Sequence, residues 1–329
     1  MNFTKNLVVM FSILAVCKIY AQGDPTYSQF MFNKLTFNPG TAGATDGKIC
    51  ATLMNHKQSF GFGNKLFDSL YGRYIGVPPS NLALFINTAL GKDSTKFLSR
   101  IGTGFSFFKN EIGFETTTQA KLAVSYMHPF GNKNTLAFGI GIGMIQKSLD
   151  ATKINLMGTG LQYPAEVNGE ALDIDLGLFY SKRDLTKRFT RFNAGISVTH
   201  FNESKITYEL PGALYGRTII ENKKHFYLTM GAEFQLPVSS LKLQPNILMI
   251  TSPYKFRSDL NCSLIWKERI RGGLSWRPME AIVVMGGYQF PKFGRSSFYM
   301  GYSYDFVISK TVKYNSGSQE IVLRYCLSF

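Results

Sequence analysis

Apolar residues alternate with small or polar ones from Gly47 almost to the end of the chain, and no other feature constrains the fold so strongly. Along residues 172–180 the apolar row is Leu172, Ile174, Leu176, Leu178 and Tyr180, set against Asp173, Asp175, Gly177 and Phe179. Residues 226–236 set Phe226, Leu228, Met230, Ala232, Phe234 and Leu236 against Tyr227, Thr229, Gly231, Glu233 and Gln235. Successive side chains of a strand point to opposite faces, so each segment has one apolar face and one small or polar face. Fourteen segments carry the pattern: 48–60, 82–90, 100–108, 117–127, 135–146, 172–180, 191–199, 226–236, 240–250, 257–267, 269–277, 281–290, 297–306 and 320–329. Residues 67–75 are a candidate fifteenth. No 3.6-residue apolar period is long enough for a substantial helix.

Two architectures use such strands, a soluble sandwich and a membrane barrel. The second face of a sandwich meets water and should be rich in Lys and Glu. Here that face is mostly Gly, Ser, Thr, Asn and Ala, most clearly Gly139, Gly141 and Gly143 opposite Phe138, Ile140, Ile142 and Met144. Only 17% of residues are charged, against about 25% in soluble domains. A barrel has an apolar outside for lipid and a polar inside. Tyr126, Tyr180, Trp266, Trp276, Tyr288 and Tyr304 lie on apolar rows near strand ends, where interfacial belts form. The last row, Ile321, Leu323, Tyr325, Leu327 and Phe329, ends on an aromatic, as many outer-membrane barrels do. The pattern predicts an all-β chain over residues 47–329, a transmembrane antiparallel barrel of about 14 strands in outer-membrane lipid.

The start of the chain reads as an export signal. A short positive stretch through Lys5 leads into an apolar run from Leu7 to Val16, broken only by Ser12, and then Ile19-Tyr20-Ala21. The run is too short to span a membrane, and a cut is expected after Ala21 or Gln22. Leu14-Ala15-Val16-Cys17 also loosely resembles a lipidation box, although Val16 is large for the residue before the cut. Loss of residues 1–21 leaves Cys50, Cys262 and Cys326, an odd and widely spaced set. These are expected to be isolated small apolar residues, since they form neither a closed disulfide framework nor a metal-ligand spacing.

Residues 22–46 carry a distinctive stretch. Asp24-Pro25-Thr26-Tyr27-Ser28-Gln29-Phe30-Met31-Phe32-Asn33 leads to Asn38-Pro39 and then Ala42-Gly43. Near the other end stand Gly301-Tyr302-Ser303-Tyr304-Asp305-Phe306 and Gly317-Ser318-Gln319-Glu320-Ile321. The chain thereby resembles the PorP/SprF family of Bacteroidota, which opens with D-P-x-(F/Y)-S-Q-(F/Y) and usually shows G-S-H-E-I near its end. Gln319 replaces the habitual His, and Asn55-His56-Lys57-Gln58 matches the family's Arg-Asn-Gln-Trp region poorly. The resemblance implies an outer-membrane component of the type IX secretion and gliding machinery. It implies partners too: a secreted, adhesin-like surface protein with a C-terminal sorting domain, and periplasmic ring components reached through a peptidoglycan-binding lipoprotein.

Physically, Pro25 and Pro39 keep residues 24–43 from being a spanning strand, because proline cannot donate to the ladder. Tyr27, Phe30, Phe32 and Phe37 are too many aromatics for a solvated tail. The segment is expected to pack in the lumen, against a periplasmic partner or at the periplasmic rim, with Tyr27, Phe30 and Asn38 as candidate partner-binding residues. The polar rows place cations inside the barrel. Arg269, Arg271 and Arg277 read either as struts paired across the lumen with Asp173, Asp175, Glu233, Asp305 or Glu320, or as a docking face for an acidic peptide.

Catalysis is not expected, and neither is a cofactor or metal. The histidines are His56, His128, His200 and His225, and no G-x-S-x-G, H-E-x-x-H or phosphate-cradling pattern appears. Lys+Arg exceed Asp+Glu by 36 to 21, but the cations form no contiguous stretch of the kind that binds nucleic acid. The alternative function is a diffusion channel or hydrophobic-solute transporter, similar to other fourteen-stranded barrels.

Overall fold

The computed structural model describes residues 24–45, 48–58, 67–68, 73–74, 79–91, 100–113, 115–131, 133–150, 166–209, 217–253, 256–309, 312 and 316–328. The expected signal, residues 1–21, and the terminal Phe329 lie outside the described residues. The first half of the chain contributes β1 (Lys48–Lys57), β2 (Phe67–Asp68), β3 (Arg73–Tyr74), β4 (Ser80–Ala89), β5 (Ile101–Ile112), β6 (Glu115–Phe130), β7 (Asn134–Asp150), β8 (Glu166–Arg183) and β9 (Phe189–Thr199). The second half contributes β10 (Lys205–Glu209), β11 (Arg217–Glu221), β12 (His225–Gln235), β13 (Leu241–Thr251), β14 (Phe256–Trp266), β15 (Ile270–Arg277), β16 (Ala281–Gln289), β17 (Ser296–Val307) and β18 (Ser318–Ser328).

Fourteen of these close into one antiparallel barrel in the order β1-β18-β17-β16-β15-β14-β13-β12-β9-β8-β7-β6-β5-β4, sealed where β4 and β18 both pair with β1. Each of the fourteen expected segments is one wall strand. The candidate fifteenth is not: Phe67–Asp68 and Arg73–Tyr74 pair only with each other, outside the barrel. A two-residue ladder cannot span lipid, which takes about 9–11 residues. Strands β10 and β11 form a separate hairpin packed on β7 and β8 through Ile145, Val167, Ile206 and Tyr208.

The alternation sorts side chains as lipid requires. Leu122, Ile142, Ile196 and Leu274 are each more than half exposed on the outer face, whereas Asp173, Ser263, Ser303 and Glu320 are fully buried within. Tyr126, Trp266 and Tyr288 point outward near one rim and Trp276 near the other. Among the described residues, no helix is long and apolar enough to cross a membrane; the strands do so. The longest intervals between consecutive wall strands, those after β1, β7, β9 and β17, all fall at one end of the barrel, opposite short turns such as 184–188 and 267–269. Barrels of this kind put short turns in the periplasm and long loops outside. β1 begins and β18 ends at the short-turn rim.

The cysteine expectation is corrected. Cys50 and Cys326 lie directly opposite each other in the β1–β18 pair and form a disulfide, with Cα atoms 4.1 Å apart. Their separation of 276 residues hides the pairing, because only barrel closure sets this register. Cys262 is the free, exposed third cysteine. The bond staples the strand pair that closure must form last in sequence. Replacing both cysteines with Ser is expected to lower stability by about 2–5 kcal/mol, read as a lower temperature for the heat-induced gel-mobility shift. An unchanged shift temperature would show that the seam needs no staple.

Candidate functional site: a segment held inside the lumen

Residues 24–45 fill the barrel. The segment begins at the outer end with Asp24 and descends through three short helical turns, Phe30–Phe32, Lys34–Phe37 and Pro39–Thr41. It reaches the periplasmic end at Thr45, whose hydroxyl donates to the Lys48 carbonyl at 2.6 Å. The helical turns follow from composition: Pro39 stands at a first helical position, and the Asn38 side chain accepts from Gly40 N at 2.9 Å, closing a cap. Of the three placements the sequence left open for this segment, the structure takes the lumen. Tyr27, Phe30 and Asn38 are each at most 2% exposed.

Apolar contacts anchor the segment at several heights. Tyr27 and Leu35 join Met54, Phe85, Phe108 and Val322 of the wall. Phe30 and Phe37 cluster with Tyr227 and Leu248, and Phe37 stacks on Tyr227 at 5.1 Å. Phe32 stacks on Tyr299 at 4.8 Å, with the guanidinium groups of Arg271 and Arg324 5.5 and 5.9 Å from its ring centre. Burying an aromatic side chain is worth about 1.5–3 kcal/mol.

The inner row of small residues now has a reason. A Cβ on Gly139 would overlap the Pro39 carbonyl, and one on Gly102 would overlap the Ala42 carbonyl. Backbone meets backbone at these two points, so no side chain can stand between them.

Ser28 and Gln29 are latched by a buried ionic cluster. Their backbone N–H groups donate to the two oxygens of Glu320, at 2.6 and 2.8 Å. The Ser28 hydroxyl donates to Asp305 at 2.7 Å and accepts from Arg277 at 3.0 Å. Arg277 also pairs with Asp305 and lies 3.1 Å from Asp259, which Arg257 engages from the other side at 3.1 Å. Arg257 donates to Thr26 Oγ1 at 2.5 Å, and His56 Nδ1 donates to the Thr26 carbonyl at 2.9 Å. Lower down, the Lys34 ammonium donates to Asn193 at 2.7 Å, Asn38 to the Leu178 carbonyl at 3.0 Å and Ser125 to the Ala42 carbonyl at 2.7 Å.

A second cluster holds the segment's first residue. His200 follows β9 with φ +54°, a left-handed turn that directs its ring into the lumen. Its Nε2 is 2.8 Å from Asp24 Oδ1, and its Nδ1 is 2.9 Å from Asp173. The backbone N–H of His200 donates to Asp175 at 3.0 Å, and Lys121 bridges Asp173 and Asp175 at 2.6 Å each. Tyr227 Oη donates to Asp24 Oδ2 at 2.8 Å. Burial disfavours the His200 imidazolium, yet Asp24 and Asp173 outweigh it and push the ring up to about 10. Burial would likewise raise the Asp24 carboxyl, but His200, His225 and Lys121 hold it well below the usual range. The raised His200 stabilises docking fully below about pH 6.5 and loses that contribution as pH rises through about 10. The lowered Asp24 contributes above its ordinary pKa and fades as pH falls through its depressed one, so the clasp is intact across neutral pH.

The three arginines singled out in the sequence do not share a face. Arg277 is committed to Asp259, Asp305 and Ser28, and Arg271 donates to Gln244 Oε1 at 2.5 Å while it covers Phe32. Arg269 is exposed in the turn at the far end of β15 from Arg277. The residues that do most of the holding are Glu320 and Asp305, two of the carboxylates expected to pair with the inner-row cations, together with His200, for which the sequence raised no such expectation. Their signal was present: Asp305 and Glu320 sit inside the C-terminal motifs, and those motifs meet Ser28 and Gln29 of the N-terminal one. Gln319, the departure from the family pattern, alternates away from the lumen.

Fold and site define an outer-membrane β-barrel whose lumen is filled by its own N-terminal segment. The profile of the family described as "Type IX secretion system membrane protein PorP/SprF" matches residues 19–325, and the chain belongs to that family. A search of curated protein sequences finds no significant relative. Among solved structures, the Ralstonia pickettii toluene transporter TbuX is similar at 13% identity, with 90% of this chain and 93% of that one covered and a TM-score of 0.51. The TodX deltaS2S3 mutant, a monoaromatic hydrocarbon channel, is similar at 10% identity, with coverages of 95% and 96% and a TM-score of 0.50. Identities this low speak to the barrel fold alone.

Proposed function

We propose that this barrel assists the secretion or surface anchoring of a large adhesin-like protein bearing a C-terminal sorting domain, within the type IX secretion and gliding machinery. Family membership supplies the machinery. The filled lumen is the observation that turns the reading toward docking. A diffusion route needs a continuous path, and here residues 24–45 touch the wall from Asp305 and Glu320 to Leu178 and Asn193. The ends of the barrel are what remain for partners: the secreted client outside, and ring components with a peptidoglycan-binding lipoprotein inside. Of the three candidate arginines, Arg269 is the one offered to an acidic partner, on the periplasmic rim. The proposed role is non-enzymatic.

The test is affinity purification of the barrel from its native outer membrane in mild detergent. A co-purifying surface protein with a C-terminal sorting domain, in near-equimolar amount, is the expected result. Recovery of the barrel alone would overturn the anchoring role. Steady conductance or hydrophobic-solute uptake by the intact reconstituted barrel would support the channel alternative instead.

A further inference from the structure

Asp24, His200 and His225 come from three places far apart in sequence and converge at the outer end of the lumen. One ligating atom from each lies within 4.8 Å of the other two. His200 Nε2 is 2.8 Å from Asp24 Oδ1, and His225 Nδ1 is 3.7 Å from Asp24 Oδ2. That second distance is too long for a hydrogen bond, and His225 Nδ1 is a buried ring nitrogen with no hydrogen-bond partner among the described residues. A polar atom shut away from water with nothing to bond is uncommon enough to require a cause.

The surroundings supply one. Asp173 stands behind His200 on Nδ1 at 2.9 Å, which fixes that nitrogen as the donor and aims Nε2 at Asp24. A carboxylate behind an imidazole in this way is how metal-binding histidines are oriented. Tyr227 and Thr199 hold Asp24 Oδ2 at 2.8 and 3.2 Å, so the first carboxylate is oriented as well. Charge points the same way. Asp24, Asp173 and Asp175 are three buried or half-buried carboxylates grouped around Lys121 and the His200 ring, so even with that ring charged the anions outnumber the cations by one.

We propose that Asp24, His200 and His225 form a zinc-type divalent metal site that clasps the start of the N-terminal segment to the barrel wall between β9 and β12. Two imidazoles and one carboxylate suit borderline first-row ions, zinc foremost, better than calcium or magnesium, which prefer all-oxygen shells. Metal–ligand distances of about 2.0–2.2 Å would set the ligand atoms roughly 3.3 Å apart in a tetrahedron. His200 stands 2.8 Å from Oδ1 and His225 3.7 Å from Oδ2 of the same carboxylate, and the three ligand atoms lie within 4.8 Å of one another, so side-chain rotations of the Asp24 carboxylate and the His225 ring would draw them onto one ion. On binding, the cation takes the place of the proton between His200 Nε2 and Asp24, and that proton is released to solvent. Water or Tyr227 Oη completes the shell. The proposal stands apart from the secretion role: it concerns what locks the segment, whatever the barrel serves.

The experiment uses the full-length barrel in detergent, without a polyhistidine tag, stripped by chelator and titrated with zinc chloride. Bound metal is read by mass spectrometry after gel filtration. Wild type is expected to retain about one equivalent, His225→Ala and Asp24→Asn to lose at least nine-tenths of it, and His128→Ala to keep it. Zinc should also slow proteolysis of the N-terminal segment at least tenfold in wild type and not in His225→Ala. Cobalt titration of the unmutated protein covers the case of variants that fold poorly, since a four-coordinate site of this kind gives a strong visible absorption. Absence of retained zinc and of that absorption in wild type, or zinc retained by both ligand variants, would overturn the proposal.

Discussion

Removing residues 24–43 is expected to turn a closed barrel into a conducting pore. The wall forms its own complete hydrogen-bond ladder, with every barrel strand paired on both sides, so it does not depend on the segment for closure. What the segment supplies is the filling: Tyr27, Phe30, Leu35 and Phe37 occupy the space that the glycines and other small inner residues leave. Without it the inner face is Ser, Asn, Asp and Arg around a wet lumen, the interior of a porin-like channel. Single-channel current in a planar bilayer should rise on the order of tenfold or more over the intact protein. Gly139→Leu reaches the same state by a different route, because its side chain would need the position of the Pro39 carbonyl. Agreement between the deletion and the substitution would tie conductance to the segment. If both stayed as silent as wild type, the lumen would have to be blocked by something other than residues 24–43, and the docking reading would lose its main support.

The wall was legible because its signal is local. A strand in a barrel declares itself within ten residues by period two, and the choice between sandwich and barrel needed only the nature of the second row. The contents of the lumen were not legible in the same way. Gly139 or Ser125 reads identically whether it faces water or a packed segment, and only the close approach of Pro39 or Ala42 distinguishes the two. Long-range pairings were hidden for a related reason. Cys50 meets Cys326 only through the closing register, and Asp24 meets His200 only once the segment has been threaded to the outer end. His200 and His225 carry no pattern that marks them as a pair, since nothing in the sequence between them says that both rings turn inward. The motifs at the two ends of the chain are one structural unit, Ser28 and Gln29 against Asp305 and Glu320.

Replacing Glu320 with Ala should release that unit. The carboxylate is fully buried and is the acceptor for two backbone N–H groups, those of Ser28 and Gln29. Its loss leaves both donors without a partner, and it also leaves Arg277 with one fewer carboxylate nearby. Breaking one partner of a buried charged contact typically costs about 3–5 kcal/mol. Since each 1.4 kcal/mol is tenfold in an equilibrium, the undocked fraction of the segment should rise by two to three and a half orders of magnitude, about 10²-fold to several thousandfold. Limited proteolysis reads this directly, as cleavage within residues 24–43 of a barrel that still resists heat unfolding. Two comparisons separate latch from bulk. Glu320→Gln keeps one acceptor oxygen but turns an amide NH₂ toward a backbone donor, so it should fall between wild type and Ala. Ser28→Ala removes only the hydroxyl shared by Asp305 and Arg277 and keeps the Glu320 contacts, so its cost should be nearer 1–3 kcal/mol. If Glu320→Ala left the segment as protected as wild type, the aromatic anchors at Phe30, Phe32 and Phe37 would be sufficient by themselves, and the buried carboxylates would need another purpose. If it exposed the segment while Ser28→Ala did not, the two N–H···O contacts at Glu320 would be the lock on the lumen.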